Sequence, residues 1–472
     1  RGHYRADGGA RETTLGYHAG SLHNLWGFYL LARRNGYPVP DGFEEAVLRA
    51  TKFIMRLMSP QAGLPSFGDG GHSPGGCTQV AAIAAALTGD RECKWYAEYA
   101  RARAGGAAET RGEIPLCAFW DVGLEGAAMY AATRAKDPNV KSVLMGDTGY
   151  AALRESARPD GRYMAIAAAD RGPIVTSHGH NDIFAIEAHA NGVRFLGEMG
   201  CAPYGVSPGR NYDEKTEAHN CLTIEGMEQA PIINEWRWDR AVIPCVRRWI
   251  SEDTHDFFHG VHEGFYHWLT RQTLHARKVF FVKAEPSYWV VFDWMESNVA
   301  NPYRVYFHGC VPGRRRGKSL VFGERRGPAL AVIPASGRGL ALRPVHSAGL
   351  KAYIREKGLD AQKYPAFVYA KRAASDCLAW VLAPLAGRAM PVVRRIPVKL
   401  NGIPADAHGA VAVQIAFRGV NDTLCVAHLD YAAPLEFGGQ PAWGHLAFRR
   451  TDRAGKILLS IEHKMADGVC GR

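Results

Sequence analysis

Three histidines and one glutamate stand in a pattern that could hold a metal ion. His178 and His180 flank Gly179, and His219 opens the run HNCLTIEG. Between them lies DIFAIEAHANGVRFLGEMG, two alternating runs joined by Asn191-Gly192, the dipeptide that most strongly marks a tight hairpin. A two-residue turn sets Ala190 opposite Val193, Ala188 opposite Phe195 and Ile186 opposite Gly197. Around them His189 opposes Arg194, Glu187 opposes Leu196 and Glu198 opposes Ala185, so an apolar face is sorted from a charged one that carries Glu198. Two imidazoles and a carboxylate from neighbouring strands make a three-donor zinc set with its fourth position open. With nineteen histidines in the chain, spacing alone leaves ordinary hydrogen-bonded histidines as the competing reading. Geometry adds a condition. Ala185 lies five residues beyond His180, and that length of extended chain spans about 16 Å. The chain must therefore turn back at Gly179 or Asn181-Asp182 for His180 and Glu198 to share one ion.

The elements that must carry these residues change character near Gly149. Before it, helical periodicity predicts helices over 18–34, 43–58, 80–90, 92–105 and 122–137, separated by short loops that contain Gly or Pro. The first stops at Asn35-Gly36 and Pro38. Asp41 with Glu44 resembles a capping box for the second. Helices this close in sequence pack as antiparallel pairs, in a hairpin array or toroid. After Gly149, short alternating runs such as RYMAIAAA, KVFFVKAEPSYWVVFDWM, YRVYFHG, LAWVLAPL, AVAVQIAF and KILLSIEH predict an antiparallel sandwich. Helices first and strands after give an α+β multidomain chain, divided here into residues 1–145 and 146–472.

Composition narrows the class. The chain has 472 residues, 47% of them hydrophobic, and no apolar run long enough for a transmembrane helix. Its net charge of +11 favours an acidic partner: nucleic acid, anionic lipid or an acidic polysaccharide. The ten cysteines form no C-x-x-C pair, which excludes a cysteine zinc module and a disulfide framework. No phosphate-binding glycine fingerprint is present. Two smaller features are the GRRRGK run at 313–318, read as a solvated turn or a polyanion contact, and Trp236 and Trp238, which could stack on sugar rings or pack internally.

The segments HGHNDIFAIEAHANG and AHNCLTIEGMEQ resemble the heparinase II/III-like polysaccharide lyases, which include heparin, heparan, alginate and oligoalginate lyases. DGGARETTLGYHAGSL (7–22), LPSFGD (64–69), TLHARKVFFVK and YRVYFHG extend the resemblance in order across about residues 5 to 310. The resemblance implies a partial α/α toroid followed by a large antiparallel β-sandwich, with the active site between them. It also implies β-elimination on a uronic-acid-containing chain. That reaction needs a base for the proton alpha to the carboxylate, an acid for the departing oxygen, and donors that stabilise the enolate-like transition state.

By position, the resemblance makes Tyr17 a catalytic base or acid and His178 a residue facing the substrate. It makes His180, Glu198 and His219 ligands of a Zn2+ ion, with Glu198 where relatives usually carry Asp. Tyr204, or else Tyr212, is the second catalytic tyrosine, and His18, Arg210 and Gln229 are substrate contacts. Tyrosine suits these roles where neighbouring cations depress its pKa. Relatives carry a carboxylate-gripping Asn or Asn-His well upstream of the toroid tyrosine. None of the sixteen residues before Tyr17 is Asn, so an N-terminally truncated sequence is expected.

The expectation is a polysaccharide lyase acting on an acidic glycan in the periplasm or outside the cell, binding neither nucleic acid nor a membrane by a spanning segment, with a homodimer as one assembly. The rival readings are a non-catalytic glycan-binding protein that keeps the fold, and a metal-dependent glycan hydrolase that uses the same histidines with water as nucleophile.

Overall fold

The computed structural model describes residues 2–72, 74–103, 112–172, 178–198, 200–234, 236–267, 270–385, 387, 389–429 and 433–463. A helical region is followed by a large set of antiparallel sheets, as the change of sequence texture predicts. Secondary structure changes near Val143, whereas the compact units divide later: one comprises residues 1–219 and 232–241, the other 220–231 and 242–472.

In the first unit, five helices precede a five-stranded meander. They are α1 (Leu15–Arg34), α2 (Phe43–Leu57), α3 (Pro74–Thr88), α4 (Arg91–Arg103) and α5 (Leu116–Ala132). The Ala-rich α3 is apolar on every side from Val80 to Ala86 and accordingly lies inside, packed against α4, α5 and α1. The expected capping box is not formed. Gly42 occupies the N-cap at φ 70° with no side-chain cap, and Glu44 instead accepts a bond from the Tyr29 hydroxyl. The helical run after residue 116 is broken at Gly123, whose φ of 70° and ψ of −165° only glycine adopts without strain.

The strands of this unit are β1 (Val143–Met145), β2 (Tyr150–Arg154), β3 (Tyr163–Ala167), β4 (Ile186–Ala190) and β5 (Val193–Leu196), paired in that order. The meander is tied to α2: Arg154 donates to the Arg56 carbonyl at 2.6 Å, and the Tyr163 hydroxyl donates to that of Leu57. The Asn191-Gly192 hairpin forms, with Ala190 opposite Val193 and His189 opposite Arg194. A bulge between Ala188 and His189 then sets Ala188 opposite Leu196 rather than Phe195. The simple register therefore fails beyond His189. β5 ends at Leu196, which frees Glu198 from the sheet.

The second unit holds two large facing sheets. One has eight strands, with Asp376–Pro384, Tyr288–Ser297, Thr273–Val282 and His255–His262 at its centre and Gly313–Arg316 at one edge. The GRRRGK run is thus an edge strand and its turn. The other sheet has five strands, from Val392–Ile396 to Ile457–His463. Phe280, Phe292, Trp294 and Val381 from the first meet Val411, Val413, Leu424 and Phe448 from the second in one core. The nine described cysteines are all free thiols, and Cys470 lies outside the described residues.

A charged group sits at the centre of this unit. Asp293 accepts from His275 at 2.9 Å, from Arg277 at 2.8 and 3.0 Å and from the Trp380 indole at 3.1 Å. Arg277 also donates to the Asn220 carbonyl at 2.8 Å, and the Asn220 side chain accepts from the His308 amide at 2.6 Å. The A-H-N motif thus supplies a structural asparagine. Burial alone would raise the Asp293 pKa, but Arg277 and His275 hold it well below the usual range. Asp293→Ala would remove the carboxylate that balances the buried Arg277 guanidinium, so we expect chemical denaturation to show a loss of about 3–5 kcal/mol.

Candidate active site

The site is built on loops that glycine allows to touch. Gly68 has a φ of 59°, and a Cβ there would stand 2.6 Å from the His178 carbonyl oxygen. That carbonyl accepts from the Asp69 amide at 2.9 Å, which ties the FGD segment to the H-G-H segment. At Gly179 a Cβ would lie 2.3 Å from the Arg171 carbonyl oxygen. Arg171 in turn donates to the Gly179 carbonyl at 3.0 Å and to the Asn181 side chain at 2.8 Å. The expected reversal follows: the Ala185 amide donates to the Asp182 carbonyl at 2.8 Å, with Phe184 at φ 63°. Asp182 also accepts from the Gly68 amide at 2.9 Å.

Asp69 is the hub. Its buried carboxylate accepts from Arg210 at 2.5 and 3.1 Å, from His180 Nε2 at 2.8 Å and from the Tyr204 hydroxyl at 3.0 Å. Burial opposes its charge, yet His180 and Arg210 hold its pKa well below the ordinary carboxylate range. Burial lowers His180 to about 4, so its ring is neutral near pH 7. The Tyr204 hydroxyl also bonds to that of Tyr17. Burial, the bond to Tyr17 and the Asp69 charge push the Tyr204 pKa well above its ordinary value. The expectation that cations lower a catalytic tyrosine is thereby reversed for Tyr204, because the nearby cation, Arg210, is spent on Asp69.

Beside this hub is an open aromatic cluster. Tyr17 stacks on His178 with ring centroids 3.8 Å apart and planes 14° from parallel. Trp236 lies 5.6 Å from His178 and 5.5 Å from Tyr204. Tyr17, Tyr204 and Trp236 are 36%, 49% and 36% exposed, enough for a ligand to reach their rings. His178 Nδ1 is bonded to Glu12. With Nδ1–H donating to that carboxylate, Nε2 carries the lone pair, the arrangement of an oriented base. Glu12 is itself positioned by a pinned N-terminal segment: Asp7 accepts from the Thr148 amide and hydroxyl at 2.7 Å each, and Arg5 pairs with Asp170 at 3.0 Å.

The three residues expected to bind zinc are buried near one another. His219 Nδ1 is bonded to Glu198, and the rings of His180 and His219 are 5.4 Å apart. Burial opposes the charge of His219, but Glu198 raises its pKa overall. His180 Nδ1 and His219 Nε2 are buried with no hydrogen-bond partner. Among the described residues, three His and carboxylate groups bring their donor atoms within 4.8 Å of one another, and His180, Glu198 and His219 are not one of them. The donor types suit a divalent ion, but Glu198 engages His219 Nδ1, the ring nitrogen that points away from the orphaned Nε2, so the three residues do not present their donors to one point.

Family profiles described as "Heparinase II/III N-terminus" and "Heparinase II/III-like, C-terminal" match residues 3–87 and 137–342. The chain belongs to the heparinase II/III-like family. No curated protein sequence matches it. Its fold is similar to that of a heparan sulfate lyase of Pedobacter heparinus, with TM-score 0.65 and 16% identity over 93% of this chain and 59% of that one. It is also similar to a structure described as heparinase III, with TM-score 0.66 and 15% identity over 93% and 60%. The chain therefore spans about 60% of the length of these structures.

Several residues expected in the heparinase-like site serve other ends. His18 is buried, accepting from the Ala10 amide at Nδ1 (3.2 Å) and meeting the Ala50 carbonyl at Nε2 (2.9 Å), which leaves no nitrogen for a sugar. Tyr212 is buried, and its hydroxyl reaches the Glu217 carbonyl at 3.5 Å. Arg210 is buried and bound to Asp69, so it positions the site rather than meeting solvent. Gln229 belongs to the second unit and is fully buried there. Trp238 is buried under Arg171, whose guanidinium lies 3.2 Å from its ring. Glu12 and Asp69 were not among the expected site residues. Both stand in quoted family segments, D-G-x-x-x-E and F-G-D, and a buried-acid reading of those segments would have found them.

His18 provides a pH test of its structural role. Burial lowers its pKa from 6.5 to about 4. The unfolded chain therefore binds more protons between those values, and stability falls as pH drops through that window. His18→Gln is expected to flatten this part of the stability–pH curve by about 3 kcal/mol between pH 6.5 and 4, measured by urea unfolding.

Proposed function

We propose that this protein is a polysaccharide lyase that cleaves a uronic-acid-containing acidic glycan by β-elimination. The observation that carries this reading is the Glu12–His178 pair, set against the Tyr17 and Tyr204 hydroxyls in an open aromatic cluster. His178 Nε2 removes the proton alpha to the uronate carboxylate. The electron pair of that C–H bond forms the new C=C bond, the bond to the leaving oxygen breaks, and that oxygen takes a proton from the tyrosine pair. Tyr17 is the donor, and the proton taken by His178 restores it when the site resets, while Tyr204 keeps its own proton beside Asp69. Glu12 stabilises the imidazolium that forms. Trp236 offers a face to a sugar ring, and the net charge of +11 favours an anionic polymer. Such polymers lie outside the cytoplasm, and we place the protein in the periplasm or beyond.

Incubation with heparan sulfate, hyaluronan and alginate tests this. An unsaturated product absorbing near the ultraviolet edge is expected from one of them, and reducing ends without that absorbance would indicate a hydrolase. Binding with no product would indicate a glycan-binding protein. Glu12→Gln should lower kcat by roughly 100-fold with little change in KM, and Tyr17→Phe by at least as much.

We also propose that His180, Glu198 and His219 hold a zinc ion. What supports this is the pair of buried nitrogens without partners, His180 Nδ1 and His219 Nε2; Glu198, which engages the other nitrogen of the His219 ring, would turn from Nδ1 to join them. The ion would supply positive charge that offsets the buried Glu198 and Asp182 and would fix both rings. Elemental analysis should find zinc in the native protein, and His219→Ala should carry one equivalent fewer. Chelator should lower the Tm of the parent by more than that of the variant.

A further inference from the structure

A second, separate group of donors lies in the unit formed by residues 220–231 and 242–472. Glu296, His408 and His428 place one donor atom each within 4.8 Å of one another. His428 Nε2 is 3.3 Å from Glu296 Oε2, and His408 Nε2 is 3.9 Å from Oε1 of the same carboxylate. Both Nδ1 atoms are buried without hydrogen-bond partners among the described residues, and the ring nitrogens that face a partner there face the Glu296 carboxylate.

The backbone fixes this arrangement. Glu296 lies near the end of the strand Tyr288–Ser297, on the same face as Trp294 two residues earlier. His408 sits in a turn held by Asp406, which accepts from the His408 and Gly409 amides at 2.9 Å each. His428 follows the strand Val420–Ala427, which pairs with Ala410–Ala416. Beyond that ladder the His428 amide donates to the Gly409 carbonyl at 2.9 Å, which locks the two histidine-bearing segments together. Trp294 closes the frame. Its indole donates to the Ala407 carbonyl at 3.1 Å, and its ring stacks on His428 at 5.7 Å. Lys278 braces the same segment from behind through the Ala427 and His428 carbonyls, at 2.9 and 2.8 Å. Burial lowers the His428 pKa, which favours the neutral, ligating form, although the nearby Glu296 opposes this.

The two other groups of this kind are worse cation sites. In His72–Glu187–His189, Arg194 already occupies Glu187 at 2.7 and 3.2 Å and would repel an ion. In Glu252–His255–His463, the two Nε2 atoms stand 2.7 Å apart and satisfy each other. At Glu296 the donors suit a divalent ion: one carboxylate, two imidazoles, and an open side, since Glu296 and His408 are 48% and 42% exposed.

We propose that Nε2 of His408, Nε2 of His428 and the Glu296 carboxylate form a surface site for a divalent transition-metal ion, with one position left to water. Two imidazoles and a carboxylate select zinc over calcium or magnesium. The ion would clamp the end of the paired strands Ala410–Ala416 and Val420–Ala427 to the strand Tyr288–Ser297, joining the two facing sheets of this unit. This site does not depend on the proposed lyase activity or on the proposed zinc at His180.

The test is a zinc titration of the metal-stripped full chain against a chromophoric competitor, for the parent, Glu296→Gln, His408→Gln/His428→Gln and His180→Gln. The expected result is one fewer zinc equivalent in the first two variants, or that equivalent weakened by at least roughly 10-fold. Their circular dichroism should be unchanged, and His180→Gln should retain the equivalent. Zinc titrations of Glu296→Gln and the double histidine variant that match the parent in stoichiometry and affinity would overturn the proposal.

Discussion

The site depends on the ionised carboxylate of Asp69. One buried group receives a guanidinium, an imidazole and a phenol, contributed by Arg210, His180 and Tyr204. Removing water from such a charge costs several kcal/mol, and only saturation of its lone pairs repays that cost. Three donors from three separate chain segments provide the saturation, so the carboxylate fixes their relative positions as it is stabilised. With its proton directed at Asp69, the Tyr204 oxygen accepts from the Tyr17 hydroxyl, and the stack of Tyr17 on His178 carries the order on to the imidazole held by Glu12.

Local backbone chemistry makes this convergence attainable. Gly68 and Gly179 bring carbonyl and amide groups closer than any side chain would permit. Arg171, braced over Trp238, ties the intervening turn. Both act through backbone contacts, Gly68 with the His178 carbonyl and Gly179 with that of Arg171. They are found in the H-G-H and F-G-D motifs because the chain paths that carry His178, His180 and Asp69 cross there.

Much of this was legible in the sequence, and the limits have physical causes. Periodicity located the helices and the strands, and Asn191-Gly192 located the hairpin. The one-residue bulge between Ala188 and His189 was not legible, because alternation continues through it on both strands. The family motif named Tyr17, His178 and either Tyr204 or Tyr212; in the structure Tyr17 stacks on His178 and its hydroxyl meets that of Tyr204, while Tyr212 is buried. His18, Arg210, Tyr212 and Gln229 look like exposed loop polars in one dimension, yet all four are buried and used by the protein itself. Glu12 and Asp69 escaped notice because a lone acid in a loop ordinarily meets only water. Their importance comes from histidines more than a hundred residues away in sequence.

The state of the Tyr204 phenol tests the Asp69 hub most directly. In protein labelled with 13Cζ-tyrosine, the Tyr204 resonance can be assigned by its absence in Tyr204→Phe and followed with pH. The hub predicts that it stays protonated well past its ordinary value of 10, and that Asp69→Asn brings its titration back toward that value. Titration at or below 10 in the parent protein, unchanged by Asp69→Asn, would contradict the hub and the proton path drawn from it.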